Sequence, residues 1–148
     1  VKELLEMKGF EVYLPLLKER RKWADRKIWV EFPLFKSYIF VRIEIKNSIF
    51  IIQNPGVVKI VKFGNKIAVI QNNIINALRL MIDGGYKPKT TDYFLKGDPV
   101  IVQEGPLKGI RGEIKEVDKN DRLIIHIDAL QHSISVKINR DFLKNLKK

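Results

Sequence analysis

The chain contains no cysteine, which excludes disulfide scaffolds and thiolate metal sites and suits a reducing cytosol. It has two histidines, His126 and His132, too few for an all-histidine metal site. No apolar run approaches the roughly 18 residues needed to span a bilayer, and no signal peptide is visible. The first residue is Val1 rather than Met, so a preceding segment is expected. What is present is a 148-residue chain, 45% apolar, with a formal net charge of +11. That length fits one ordinary domain or two small ones. Residues 1–83 carry 15 Lys+Arg against 8 Asp+Glu, and residues 93–148 carry 11 against 8. A basic N-terminal half is the footprint of a polyanion partner, with a solvated surface kept for solubility as the alternative.

The chain is organised around residues 32–45. From Lys36 onward Ser37, Ile39, Val41, Ile43 and Ile45 alternate with Tyr38, Phe40, Arg42 and Glu44, which predicts a strand with a buried inner face. Phe35, Lys36 and Tyr38 would place two aromatics and a cation at its rim, read as a contact surface. Upstream, Val1, Leu4, Leu5 and Lys8 have helical spacing, Gly9 follows as a C′ residue, and a strand is expected over 10–17. Six of the twelve residues 18–29 are cations, and Trp23 and Trp29 frame the second half. This stretch reads as a β-hairpin with its tip at Ala24-Asp25-Arg26-Lys27. Cations bind phosphate without sequence preference and indoles stack on bases. The alternative is a charged hairpin whose tryptophans lie against the sheet. Asn47 or Ser48 is placed to N-cap a short helix over 49–53, stopped by Asn54-Pro55-Gly56. Strands are expected over 57–63 and 67–70. Asn72 or Asn73 would then cap a helix presenting Ile74, Ile75, Leu78, Met81 and Ile82 on one side.

Residues 84–92 lack apolar periodicity and read as a linker. Five short β-like runs follow, over 100–103, 109–116, 122–127, 133–138 and 142–146. They are separated by Gly105-Pro106, Lys119-Asn120-Asp121 and Gln131-His132, which points to a small barrel. The fold class expected is α+β: an antiparallel sheet flanked by helices, then an SH3-like β-barrel. The divisions are 1–83, 84–92 and 93–148.

Residues 96–114 (KGDPVIVQEGPLKGIRGEI) resemble the KOW motif. Residues 33–41 (PLFKSYIFV), 54–57 (NPGV) and 61–64 (VKFG) resemble the N-terminal domain of NusG-type transcription elongation factors. Together they cover nearly the whole chain. Residues 11–15 (EVYLP), 21–23 with 25–27, and 127–130 (IDAL) are similar to UpxY-like and RfaH-like antiterminators, the first of which regulate capsular polysaccharide operons in Bacteroides-type bacteria. NusG-like chains begin with an aromatic-rich strand that is missing here, so an incomplete start is expected. Lys36 stands where proline is usual in the family.

The resemblance implies a cytoplasmic bacterial factor that makes and breaks no bond and needs no cofactor or metal. Its N-terminal domain would dock on the clamp helices of RNA polymerase and bridge the DNA cleft, suppressing pausing and termination. Phe35 and Tyr38 match the polymerase-facing aromatics, with Ile74 and Leu78 as neighbours, although core packing explains those two equally. Asn47 and Ser48 fall where relatives touch the opposite jaw. Arg20, Arg21, Lys22, Arg26 and Lys27 would face upstream or non-template DNA, and Lys36 would add a phosphate contact. The barrel's loop around Leu107, Lys108 and Ile110 would recruit a ribosomal protein or other factor, with the whole acting as a monomer. The barrel is expected to keep its β form. The rival is a KOW-type RNA-binding or ribosome-associated protein. An enzyme is disfavoured, because Asp98 with Glu104, and Asp118 with Asp121, lie in turn-rich segments without a histidine base or nucleophile.

Overall fold

The computed structural model describes residues 1–146 as an α+β chain of two compact units, Val1–Val69 and a second beginning at Ile70. The first unit opens with α1 (Lys2–Met7), which buries Leu5. It ends at Gly9, whose φ of +89° lets Phe10 N–H donate to Leu5 C=O at 3.1 Å. The strand expected over 10–17 is divided between β1 (Glu11–Tyr13) and β2 (Leu16–Trp23), with Pro15 fully buried between them. β2 pairs with β3 (Arg26–Pro33) through eight opposed residues. The two-residue loop is Ala24-Asp25, so Arg26 and Lys27 stand in the strand rather than at the tip.

The long central strand is a correction. Only β4 (Phe40–Arg42) is paired, with Val41 opposite Val12 and Phe40 opposite Tyr13. Ser37 adopts a left-handed φ of +67°, which breaks extended structure before the ladder can form. A 3-10 turn over Ile45–Asn47 leads into α2 (Ser48–Ile52). Asn47 holds the N-cap position but makes no side-chain cap bond. The helix is closed at its other end by buried Asn54, whose amide donates to the carbonyls of Phe50 (2.7 Å) and Ile51 (3.2 Å). Pro55 and Gly56 (φ +89°) then occupy the two central positions of a tight turn. The strands expected over 57–63 and 67–70 shrink to β5 (Lys62–Phe63) and β6 (Lys66–Ile67) around Gly64.

The second unit begins with α3 (Asn72–Asp83), N-capped by Gln71 rather than Asn72 or Asn73 and burying Ala77, Leu78 and Met81. It continues into a six-stranded antiparallel sheet consistent with a small SH3-like domain. Its strands are β7 (Lys89–Thr91), β8 (Asp98–Val102), β9 (Arg111–Val117), β10 (Asn120–Ile127), β11 (His132–Lys137) and β12 (Leu143–Asn145), in the order β12-β8-β9-β10-β11-β7. β7 falls inside the stretch read as a linker: Thr91, Thr90 and Lys89 pair with Ser133, Ile134 and Ser135. The hairpin between β9 and β10 turns at Asp118-Lys119, both at positive φ, one residue earlier than expected. Leu123, Ile125, Ile127, Ile134 and Val136 are buried, so the alternating apolar residues of β10 and β11 build this core.

Candidate nucleic-acid interface

The basic residues of the first unit are gathered on one ribbon. Among the described residues β2 and β3 pair only with each other, and every residue from Lys18 to Trp29 is exposed. Opposed residues in an antiparallel pair share a face, and successive residues alternate. The register therefore sorts the side chains into two sets. One face carries Lys18 opposite Glu31, Arg20 opposite Trp29, and Lys22 opposite Lys27. The other carries Glu19 opposite Val30, Arg21 opposite Ile28, and Trp23 opposite Arg26.

The faces differ in free charge. On the second, Arg21 is held by Glu19 at 3.1 Å and lies over the Phe32 ring, 5.7 Å from its centroid. On the first, Lys18 lies 3.7 Å from Glu31, while Arg20, Lys22 and Lys27 have no ion-pair partner among the described residues. Two lysines directly opposed repel each other, a local cost that an incoming polyanion removes. Trp23 and Trp29, expected either on nucleic acid or against the sheet, are 69% and 68% exposed. The structure thus leaves both indoles in solvent.

The remaining expected residues are distributed differently. Lys36 is exposed beside the left-handed Ser37. Phe35, placed by its sequence at an exposed rim, is only 3% exposed. Its ring stands edge-on to Phe40, 6.0 Å between centroids, and Phe40 in turn stacks with Tyr13 at 6.5 Å. An aromatic that packs edge-on against a second ring gains more by turning inward than by facing water. Tyr38 is half-buried and keeps accessible surface. In the second unit, Ile74 is half-buried and Leu78 fully buried, so Leu78 is core in the isolated chain. Asn47 and Ser48 are half-buried at the head of α2, whose Ile49, Phe50 and Ile52 are about half exposed. Nothing in the 45–52 run distinguished these apolar residues from core at the level of sequence.

In the barrel loop, Leu107 is 1% exposed and anchors the turn, Ile110 is half-buried and Lys108 is exposed. Gly105 and Gly109, both at positive φ, let Gly109 N–H return to Val102 C=O at 2.8 Å. Lys108, Arg111 and Lys144 line a shallow groove together with Ile101 and Leu146.

One polar cluster has the residue types of a hydrolase. His126 Nδ1 lies 2.6 Å from Ser133 Oγ, and its Nε2 lies 2.9 Å from Glu113 Oε2. The second contact is close in distance but off the line of a hydrogen bond. Ser133 is 0% exposed, so its hydroxyl cannot meet a substrate. Glu113 Oε1 instead accepts from Gly97 N–H at 2.7 Å, and Tyr93 packs edge-on to His126 while its hydroxyl donates to Asp128 at 2.7 Å. That hydrogen bond to a carboxylate raises the Tyr93 phenol above its ordinary value. The cluster fastens the 93–97 segment to the sheet. Among the described residues no His, Asp and Glu group is arranged to hold a metal, and no helix is long and apolar enough to cross a membrane.

A family model described as "Transcription termination factor nusG" matches residues 1–79. Fold and match together define a transcription factor of the termination and elongation class, a class that binds RNA polymerase and is not an enzyme family. The chain belongs to the NusG family.

Proposed function

We propose that this protein is an elongation and antitermination factor of the specialised UpxY or RfaH kind. It docks its N-terminal domain on the polymerase clamp, bridges the DNA cleft and suppresses pausing. The observation that carries the reading is the family match over residues 1–79, coupled with a free cationic ribbon inside that span. The match runs through most of α3, which supports assigning residues 1–83 to the N-terminal domain, with 84–92 as the connection and 93–148 as a KOW domain. Arg20, Arg21, Lys22, Arg26, Lys27 and Lys36 face upstream or non-template DNA. Tyr38 contacts polymerase directly, with Phe35 supporting it from the core of the first unit, and Ile74 contacts polymerase with Leu78 beneath it in α3. Asn47 and Ser48 meet the opposite jaw, and the exposed apolar residues of α2 favour a protein partner there. The KOW domain recruits a ribosomal protein or other factor at Lys108 and Ile110, with Leu107 fixing the loop. The factor works in the bacterial cytoplasm as a monomer and serves polysaccharide operons.

Retention on immobilised core RNA polymerase tests the docking step. Wild type is expected to be retained, and Tyr38→Ala to be retained about tenfold less well. Equal retention of the two removes Tyr38 from the surface. Retention of neither on polymerase, with tight binding to ribosomal RNA, favours an RNA-binding role instead.

A further inference from the structure

The stretch between α3 and β8 divides into a short connection, residues 84–88, and a segment laid along the sheet from Lys89 onward. What holds that segment differs from what holds the rest of the sheet. None of residues 89–96 is fully buried, whereas β10 and β11 build an apolar core. β7 has three residues and is an edge strand, paired among the described residues with β11 alone. Beyond it the fastening is one side-chain bond, from the Tyr93 hydroxyl to Asp128 at 2.7 Å, with the Tyr93 ring edge-on to His126.

The surface beneath tolerates release. Opposite Lys89 and Thr91 stand Ser135 and Ser133, both buried. Their hydroxyls are satisfied inside the sheet, Ser135 by Arg122 Nε at 2.9 Å and Ser133 by His126 Nδ1 at 2.6 Å. Lifting β7 away therefore leaves neither serine hydroxyl without a partner, and water replaces the lost ladder. A segment with few buried apolar contacts opens at the low end of a protein's local stability range. Both ends of the stretch are fixed. Gly85 (φ +80°) closes α3, with Tyr86 N–H returning to Met81 C=O at 2.9 Å. Gly97 donates to Glu113 at 2.7 Å and is pressed against β9, where an added Cβ would lie 2.3 Å from the Ile114 carbonyl oxygen.

We infer that residues 89–96 form a releasable strap. Docked, they are the edge strand of the sheet and leave residues 84–88 as the tether to α3; released, they lengthen that tether to residues 84–96. Its full reach rises from about 17 Å to about 44 Å. Tether length sets the effective concentration of one module at a partner held by the other. This rests on the proposed division of the chain, in which α3 closes the N-terminal domain and the sheet is the KOW domain.

Because the chain has no cysteine, Lys89→Cys with Ser135→Cys supplies a single thiol pair at directly opposed positions. Hydrogen exchange is followed by mass spectrometry on the full chain. In wild type the amides of residues 89–96 are expected to exchange about tenfold or more faster than those of β10. Oxidation of the cysteine pair is expected to slow them about tenfold relative to the same variant reduced. Tyr93→Phe, which loses the bond to Asp128 and keeps the ring, is expected to speed them about fivefold with β10 unchanged. Exchange of 89–96 at the rate of β10, failure of the pair to cross-link, equal exchange in oxidised and reduced forms, or no effect of Tyr93→Phe overturns the inference. Exchange is read without polymerase, so a strap that stays shut and a protein that polymerase does not retain are separate results.

Discussion

At the scale of single residues, burial decides which substitutions report on function. Phe35 is enclosed and packed edge-on to Phe40, so Phe35→Ala is expected to destabilise the first unit by about 3–5 kcal/mol, read by chemical denaturation. Loss of polymerase binding in that variant would therefore not place Phe35 at the contact. Tyr38, which is half-buried and keeps accessible surface, separates the two effects, since Tyr38→Ala should cost less stability than Phe35→Ala and weaken binding by more than that loss explains. An unchanged midpoint in Phe35→Ala would contradict the packing account. The direction in which the Phe35 ring turns was not legible in the sequence. It depends on Phe40, whose place is set by pairing with Tyr13, more than twenty residues away along the chain.

At the scale of elements, close approach and local charge fix the second unit. A Cβ on Gly112 would lie 2.5 Å from the Ile124 carbonyl oxygen and 3.0 Å from Leu123 Cδ1. Gly112→Ala must therefore push β9 off β10, and a loss of about 1–3 kcal/mol is expected in thermal unfolding. An unchanged melting temperature would show that the strands can yield there. Arg140 donates to Asp121 at 2.8 Å, joining the 3-10 turn over Arg140–Phe142 to the start of β10. That hydrogen bond holds the Asp121 carboxyl below its ordinary value. A carboxylate depressed in the folded state adds stability above its unfolded pKa, and loses it as pH falls through the folded value. Wild type should accordingly lose more stability than Arg140→Gln between about pH 5 and about pH 2, and parallel losses would remove the pair from the balance. Much of this unit could be read in advance, because β-branched alternation along 122–138 marks β10 and β11 unambiguously. β7 could not, since Lys89–Thr91 is too short to show a period and its partner strand lies far along the chain. The hairpin of the first unit was legible as a cationic element, but its faces emerged only once the two-residue loop at Ala24-Asp25 fixed the register.

At the scale of the whole molecule, the proposed function is that of a non-covalent factor that binds the elongating enzyme better than the paused one. A binding protein shifts such an equilibrium only by its differential affinity for the two states. In the proposed function, polymerase contact supplies the grip and the cationic ribbon holds the DNA beside it. The most direct measurement is the dwell time of purified polymerase at a defined pause site, in single-round transcription with and without the protein. Shorter dwell with wild type, and a smaller effect with Arg20, Lys22 and Lys27 changed together to Gln, is the predicted result. Dwell times unaffected at saturating protein would contradict the account.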